Sequence, residues 1–168
     1  MPADPAPVNS TMKFSAAARA KLRSREKEIL NYYDDMGPGK GNCTWGRGIL
    51  VHRGPCTSEE LKRPVSAAAV ATEFSSRVTD AERTVRTTVV NQVLNQEQYD
   101  ALVSYTFNMG RKGAAKTLEL VDEGKLQQAA TKISSMIRVR VKSKHSSKLV
   151  IARGLIARRA QESAPFRK

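Results

Sequence analysis

The chain has 168 residues, a size at which one domain can bury a core without a metal ion or several disulfides. Hydrophobic residues make up 40% of the sequence and charged residues 27%, values that are typical of globular proteins and exclude a disordered or fibrous chain. No run of about 18 apolar residues is present, so no transmembrane segment is predicted, and the formal net charge of +13 favours polyanionic partners.

The first thirteen residues have the composition of a linker. Three prolines occur within the first seven positions, and the charged-then-apolar arrangement of a signal peptide is absent from the sequence. We therefore predict a linker-like segment over 1–13 and a folded domain over 14–168. Such a start is typical of a domain cut from a longer chain.

An amphipathic helix is predicted over 14–33. Its apolar stripe consists of Leu22, Ile29, Leu30 and Tyr33. Glu26 falls at the remaining position of that stripe, whereas Glu28 lies about 200° further round the helix and is expected to face solvent. A carboxyl group held against an apolar surface resists ionisation, which is the state that a general acid needs near neutral pH.

Asp35 follows Glu26 by nine positions, in the polar, glycine-containing stretch 34–39 where the helix must end. One buried carboxyl group and one in a hydrated turn are the minimal equipment for splitting a glycosidic bond. An alternative stays open at this point. Glu26 would then pair with an arginine and only stabilise the fold.

Cys43 and Cys56 flank a predicted β-hairpin over 45–52. They form a disulfide, remain as reduced buried thiols, or bind a metal ion, and the disulfide is favoured because no other cysteine competes. A metal site is the least favoured, since only His52 and His145 are available and their spacing matches no zinc pattern. No metal or other cofactor is therefore expected. A disulfide would imply work outside the reducing cytosol.

Beyond the hairpin the pattern is helical. A capping box at Thr57 begins a short helix that Pro64 ends. Asn95 caps a second helix, which ends at Gly110. Further helices are predicted over 66–90, 114–123, 125–137 and 148–162.

These elements predict an α+β fold. The smaller lobe contains the hairpin and covers about 34–63, the larger lobe is helical and covers about 64–168, and a cleft is expected between them. The sequence contains no glycine-rich phosphate loop, nucleophile elbow or internal repeat.

The positive charge is concentrated near the C-terminus. From Arg138 onward the chain has ten Lys or Arg residues and a single acid, Glu162. Nucleic acid is disfavoured as the partner, because aromatic residues make up only 5% and are not interleaved with the basic run. Bacterial envelopes are also polyanionic. A solvated basic face without a dedicated ligand is the remaining alternative.

Three blocks of sequence occur in an order that is specific to one enzyme family. The first, 25–52, has a Glu, eight residues, an Asp, a glycine-rich turn and then Thr-Trp-Gly-Arg-Gly. The second, 94–110, ends in Thr-Phe-Asn-Met-Gly, and the third, 153–166, contains Gly-Leu-Ile-Ala-Arg-Arg-Ala-Gln-Glu. Together they resemble the phage-type lysozymes of glycoside hydrolase family 24. The resemblance covers residues 25–166.

This resemblance implies a lysozyme-like fold and a muramidase, which hydrolyses the β-1,4 bond between N-acetylmuramic acid and N-acetylglucosamine in peptidoglycan. It implies that Glu26 is the general acid, that Asp35 holds or activates the attacking water, and that Thr44 helps to place that water. Water attack on the opposite face of the sugar would invert the anomeric carbon.

The resemblance also implies supporting residues. Asn108, Met109 and Arg111 resemble the cleft wall and are expected to bind substrate, and Arg158 or Arg159 is expected to reach the Glu26 carboxyl. Plainer interpretations remain for both sets of residues. Asn108, Met109 and Arg111 would form an ordinary helix end. Arg158 and Arg159 would be solvated basic positions.

One departure from the family pattern supports a rival hypothesis. Lys27 stands where the family commonly has Gly, and a cation there favours the ionised carboxylate. The chain would then be an inert lysozyme-like module that only binds the cell wall. The joint presence of Glu26, Asp35 and Thr44 argues against this, because a binder needs none of them.

The expected partners are peptidoglycan and, through the basic C-terminal region, anionic envelope polymers. No specific nucleic acid is expected. If the domain belongs to a secreted antibacterial effector, an inhibitor or immunity protein is a further expected partner. The expected site of action is the periplasm or cell wall. Without a visible signal peptide, export would use a holin or a secretion system.

Overall fold

The computed structural model describes residues 1, 3–26, 28–46, 48–142 and 145–167, except for the side chain of Lys142. The chain divides into two compact units, one formed by Met1–Ala18 and Val78–Lys168 and the other by Arg19–Arg77. We call these the helical unit and the sheet unit. Their boundaries differ from the predicted lobes, because one helix near each end of the sheet unit contributes residues to both. Among the described residues, no helix combines the length and apolarity that crossing a membrane requires.

The elements follow one another along the chain in mixed α and β order, which confirms the predicted α+β class. In chain order they are α1 (Ala16–Arg25), β1 (Ile29–Asp34), β2 (Cys43–Gly46), β3 (Ile49–His52), α2 (Ser58–Leu61), α3 (Ala67–Thr88), α4 (Gln96–Asp122), α5 (Leu126–Ser135), β4 (Arg138–Lys142), β5 (Ser147–Ile151) and α6 (Arg153–Ser163). A 3-10 turn, Ala164–Phe166, follows α6.

The helix predicted over 14–33 is wrong in its second half. Helix α1 ends at Arg25, and the chain continues as strand β1. Ile29, Tyr32 and Tyr33 are β-branched or aromatic residues, which fit a pleated sheet better than a helix surface. Pairing with β2 then supplies backbone partners for β1. Glu26 therefore follows the helix and does not lie on a helical apolar stripe.

The sheet unit is built around an antiparallel sheet in the order β1-β2-β3. The hairpin predicted over 45–52 corresponds to β2 and β3, and β1 is the strand that the prediction missed. Thr44 lies in the central strand, opposite Tyr33 on one side and Leu50 on the other. The short helix α2 confirms the capping box at Thr57.

The helical unit confirms the second predicted cap. Asn95 caps α4, with its side chain accepting from the backbone N–H of Gln98. Gly110 breaks α4 with φ 76° and ψ 167°, a conformation that favours glycine, and the helix predicted after this residue continues as the second half of α4. The predictions over 66–90 and 125–137 correspond to α3 and α5.

The helix predicted over 148–162 is wrong at its beginning. Strand β5 pairs antiparallel with β4, and α6 begins only at Arg153. The alternating Arg-Val-Arg-Val-Lys of β4 has the period of two that a strand requires, and Leu149-Val150-Ile151 is rich in β-branched residues. The helix predicted over 148–162 overlooks both of these strand signals.

The segment predicted to be linker-like is mostly exposed, but it contains one fully buried residue, Asn9. Its side-chain amide donates to the carbonyls of Val89 at 2.8 Å and Gln92 at 2.9 Å, and its Oδ1 accepts from the N–H of Leu94 at 3.0 Å. These bonds attach the N-terminal segment to the helical unit.

Candidate active site

Glu26 lies immediately after α1, and its backbone N–H donates to the carbonyl of Leu22 at 3.3 Å. Leu22 is only 1% exposed, so it anchors the end of the helix in the sheet unit. The Glu26 side chain is half-buried, whereas Glu28 is exposed as expected. Lys27 lies outside the described residues. Of the carboxyl groups of Glu26 and Glu28, that of Glu26 is therefore the one with restricted access to water.

The pKa of the Tyr33 phenol is affected by both predicted catalytic carboxyl groups, those of Glu26 and Asp35. Burial raises the pKa of this phenol, a hydrogen bond with the backbone of Gly48 opposes the rise, and the charges of Asp35 and Glu26 both add to it. A charge raises the pKa of a neighbour only at short range. Glu26 and Asp35 thus both lie within electrostatic range of the same hydroxyl group.

Asp35 begins the turn that connects β1 to β2. Its backbone N–H donates to the carbonyl of Asn42 at 3.1 Å, and its Oδ1 accepts from the N–H of Asn42 at 2.8 Å. Gly41 permits this close approach, because a Cβ there would lie 2.0 Å from Asp35 Oδ1. The Asp35 side chain is exposed. Its carboxylate is therefore held at the surface by its own turn.

The neighbouring carboxylate of Asp34 has a different role. Its Oδ2 accepts from the N–H of Gly39 at 2.7 Å, and its Oδ1 accepts from the N–H of Cys56 at 2.7 Å. One oxygen therefore closes the β1-β2 turn, and the other binds the loop after β3. Asp34 stabilises the turn that carries Asp35.

Thr44 is 4% exposed in the central strand of the sheet. Its hydroxyl donates to the carbonyl of Asn42 at 3.1 Å. Because the N–H of the same residue donates to Asp35, the backbone of Asn42 links Thr44 to the Asp35 carboxylate. The two predicted site residues are thus parts of one hydrogen-bonded turn.

Cys43 and Cys56 form a disulfide, as favoured from the sequence. Backbone bonds reinforce the loop that it closes, with the N–H of Cys43 donating to Gly54 O at 2.7 Å and the N–H of Gly54 donating to Asn42 Oδ1 at 3.0 Å. Glu60 lies beside the two sulfurs, and these three residues have the composition of a metal site within the described part of the chain. The sulfurs are joined to each other, so neither is a free thiolate ligand.

His52 and Glu60 form an ion pair next to the disulfide, with His52 Nε2 2.9 Å from Glu60 Oε2. The carbonyl of Arg53, 3.0 Å from Nδ1, raises the pKa of His52, and the Glu60 carboxylate raises it further. The bond with His52 and that from the N–H of Thr57 lower the pKa of Glu60. Both ring nitrogens thus face acceptors, which favours the imidazolium form.

In the helical unit, Arg158 and Arg159 are buried at 8% and 1% exposure. Both bind Glu162, with Arg158 Nε 2.8 Å from its Oε1 and Arg159 Nη1 2.7 Å from its Oε2. The Ser104 hydroxyl donates to Glu162 Oε1 at 2.8 Å, and Arg158 Nη2 donates to the Ser104 carbonyl at 3.0 Å. Burial excludes the plainer interpretation of Arg158 and Arg159 as solvated basic positions. The expected contact of either arginine with Glu26 stays a prediction.

Arg159 also fixes two of the predicted substrate-binding residues. Its Nη2 donates to Asn108 Oδ1 and lies 3.3 Å from Met109 Sδ, and its guanidinium stacks over the Tyr105 ring at 5.0 Å. Asn108 is exposed and Met109 is half-buried, just before the break in α4. Arg111, the third predicted residue, is exposed beyond the break. Contact of these three residues with substrate stays a prediction.

Glu162 is the residue that sequence analysis missed. In the sequence it stands out only as the last residue of the Gly-Leu-Ile-Ala-Arg-Arg-Ala-Gln-Glu motif and as the single acid of the basic C-terminal region. Its spacing of three and four positions after two arginines places all three side chains on one helical face, which is a readable signal for a charge network. Two of the ten C-terminal cations are therefore buried inside the protein, where the single negative charge of Glu162 balances one of their two positive charges.

Comparison with known proteins decides the family. The model of the family described as phage lysozyme matches residues 24–162. The chain belongs to the phage lysozyme family. As a family member it is a glycoside hydrolase that acts on peptidoglycan, and its place of action is the cell wall or periplasm. None of the curated proteins matches the chain.

Solved structures share the lysozyme fold. The muramidase domain of SpmX from Asticaccaulis excentricus is 23% identical, with a TM-score of 0.64 over 92% of this chain and 97% of that one. An endolysin from the Escherichia coli O157:H7 phage FAHEc1 is 22% identical, with a TM-score of 0.67 over 93% of this chain and 94% of that one. The active form of the P1 phage endolysin Lyz is 16% identical, with a TM-score of 0.64 over 94% and 86%. These similarities confirm the predicted lysozyme-like fold.

Proposed function

We propose that this phage lysozyme family member is a muramidase that cleaves the β-1,4 bond between N-acetylmuramic acid and N-acetylglucosamine with inversion. Glu26 donates a proton to the leaving oxygen, and Asp35 holds the attacking water. The observation that supports this assignment best is the phenol of Tyr33, whose pKa responds to both carboxylates. Both carboxyl groups thus lie near one hydroxyl group, and glycoside hydrolysis needs two carboxyl groups close to the same bond.

Thr44 has a place in the same proposal. The backbone of Asn42 accepts from the Thr44 hydroxyl and donates to Asp35, so the hydroxyl and the carboxylate move with one turn. A water molecule held by both groups would occupy a fixed position relative to the sheet. An inverting enzyme needs this, because its two carboxyl groups stand about 6.5–9.5 Å apart and leave room for one water.

Digestion of purified peptidoglycan tests the bond. Mass spectrometry of the products after borohydride reduction identifies the sugar that carries the new reducing end. N-acetylmuramitol ends are the expected result. N-acetylglucosaminitol ends would identify a glucosaminidase, and anhydromuramic ends would identify a non-hydrolytic cleavage. NMR of the first products reports the anomer, and inversion predicts the α-anomer from a β-linkage.

Paired variants test the residues. Glu26→Gln is expected to lower the clearance of cell walls by about two to four orders of magnitude, since it removes the proton donor and keeps the shape. Glu28→Gln is the matched control, because Glu28 is exposed two positions away. Near-normal activity of Glu26→Gln would contradict the assignment. A wild-type protein without hydrolysis that Lys27→Gly restores would instead support the inert wall-binding module.

The proposal extends to attachment on anionic envelope polymers through the basic C-terminal region. Eight of its ten cations remain after Arg158 and Arg159 are set aside as buried. Binding of intact walls is expected to weaken steeply between low and physiological salt, because the Debye length shortens to about 8 Å at 0.15 M. Binding that is independent of salt would show that contacts with the sugars dominate.

We also propose that the protein reaches the cell wall through a holin or a secretion system. If it is the lysozyme domain of a secreted effector, the producing cell needs an inhibitor or immunity protein. Co-purification from a producing strain, followed by inhibition of wall clearance with the captured protein, tests that partner. Lysis that depends on a holin and needs no such inhibitor would support the phage endolysin alternative.

A further inference from the structure

The hairpin of β4 and β5 has an unusual surface. Four of its large apolar side chains are exposed to solvent: Val139 at 42%, Leu149 at 57%, Val150 at 39% and Ile151 at 51%. Every residue of β5 is exposed. Within the described part of the chain, the substantial contacts of these strands are with each other and not with the rest of the helical unit.

The register distributes these side chains over both faces of the hairpin. Arg138 lies opposite Ile151, and Arg140 lies opposite Leu149, so one face alternates basic and apolar groups. Val139 lies opposite Val150 on the other face, which also carries Val141 opposite Lys148. Val141 is half-buried, whereas Leu149 and Ile151 on the first face are both more than half exposed. Leu149 and Ile151 therefore have no burial role among the described residues, although burial is the usual reason for apolar residues in a strand.

The charge of the hairpin has one sign. Residues 138–151 include five Lys or Arg residues and no Asp or Glu. A partner that covers the apolar side chains as well as the cations must offer negative charge and an apolar phase within a few ångströms of each other. An anionic polymer or a nucleic acid backbone offers only the charge. The headgroup region of a bilayer with anionic phospholipids offers both.

We propose that the β4-β5 hairpin inserts into the interface of anionic phospholipid membranes. The Leu149 and Ile151 side chains, which share one face, enter the boundary between headgroups and acyl chains. Arg138 and Arg140, on the same face, bind the lipid phosphates around them. The enzyme would thereby be held at the membrane surface that borders its peptidoglycan substrate. The hairpin lies in the interface and does not span the bilayer.

Vesicle binding tests this proposal without any need for hydrolytic activity. Co-sedimentation uses vesicles of phosphatidylglycerol and phosphatidylcholine in equal parts and vesicles of phosphatidylcholine alone. We expect strong binding to the first and little to the second. The double variant Leu149→Ser with Ile151→Ser is expected to weaken binding at least tenfold. Val93→Ser, at a site 68% exposed elsewhere in the helical unit, is the control and should change little.

Two double variants that remove the same charge distinguish binding through the hairpin from attraction by the net charge of the protein. Arg138→Gln with Arg140→Gln should weaken binding by about fivefold per residue, the factor expected for a cation at an anionic surface. Arg83→Gln with Lys116→Gln removes the same charge from exposed positions on α3 and α4, whose side chains are 67% and 59% exposed. This second pair should have a much smaller effect. Equal losses in both pairs would overturn the proposal in favour of non-specific attraction.

A fluorescence measurement reports insertion directly. Leu149→Trp is expected to shift its emission to shorter wavelength when anionic vesicles are added, because the indole leaves water. Val93→Trp should not shift. Binding without a shift at position 149, or unchanged binding of the serine double variant, would assign the surface to phosphate groups alone. Soluble polyphosphate, as a probe without an apolar phase, should then compete as well as the vesicles.

Discussion

The carboxylate of Asp34 accepts a hydrogen bond from the backbone N–H of Cys56 at 2.7 Å, across 22 positions of sequence. The adjacent Asp35 carboxylate bonds only within its own turn among the contacts described above, to the N–H of Asn42. Two consecutive aspartates thus have separable functions. One carboxylate joins two loops, and the other is presented at the surface.

Substitution of these two residues should separate stability from activity. Asp34→Asn removes one of two oxygen acceptors, so one backbone N–H loses its partner and the free energy of unfolding should fall by about 1–2 kcal/mol. Activity measured well below the melting temperature should remain. Asp35→Asn should lower activity about a hundredfold or more with little change in urea stability. The reverse pattern in the two variants would contradict the assigned roles.

Glu162 is expected to be the most sensitive carboxylate for stability in the helical unit. Glu162→Gln leaves the buried guanidinium groups of Arg158 and Arg159 with a neutral partner, and loss of a buried ion-pair partner costs about 3–5 kcal/mol. Glu119→Gln is the control, since its pair with Lys116 is exposed and is worth less than about 1 kcal/mol. Urea denaturation of both variants measures the difference. Equal, small effects would show that the arginines find other acceptors.

Reduction of the disulfide between Cys43 and Cys56 should destabilise the protein. Closing a loop of this length restricts the unfolded chain by about 3 kcal/mol in the chain-entropy model. We expect a lower urea midpoint in dithiothreitol and in the double variant Cys43→Ser with Cys56→Ser. The double variant should then be insensitive to dithiothreitol. A wild-type midpoint that does not depend on the reductant would refute a stabilising disulfide.

The pair of His52 and Glu60 predicts a pH dependence of stability. The pKa of His52 is raised above 6.5, chiefly by the Arg53 carbonyl, so its contribution is complete below 6.5 and is lost as the pH rises through the folded-state value. The pKa of Glu60 is lowered below 4.5, chiefly by His52, so its contribution is present above 4.5 and is lost on acidification. The pair therefore stabilises the protein most between pH 4.5 and 6.5.

His52→Gln should lose stability relative to the wild type mainly in that window, as measured by urea midpoints from pH 4 to 8. A constant difference over the whole range would exclude the pair as the cause.

Local signals in the sequence were sufficient for several elements. The capping boxes at Thr57 and Asn95 predicted α2 and α4, because a side-chain cap satisfies backbone groups within three residues. Gly110 marked the helix break for the same local reason, since its positive φ is unfavourable for other residues. The two cysteines also paired as favoured.

The failures occurred where pairing between distant segments decides the structure. Glu26 fitted a helical stripe with Ile29 and Tyr33, but β1 forms because β2 is available as its partner. The β4-β5 hairpin was missed because positions 148–151 also fit a helical pattern. Glu162 escaped notice because its importance depends on burial, which periodicity does not report.

The three bonds of Asn9 also constrain the order in which the chain can fold. Residues 19–77 form the sheet unit from one continuous segment, so this unit can be completed as soon as that segment has been synthesised. Asn9 is made earlier, yet its partners Val89, Gln92 and Leu94 follow about eighty positions later. On the ribosome, Asn9 must therefore wait without these partners until the residues that follow α3 emerge. Pairing across such a separation is slow compared with the formation of local contacts, so the attachment of the N-terminus is a late event in folding.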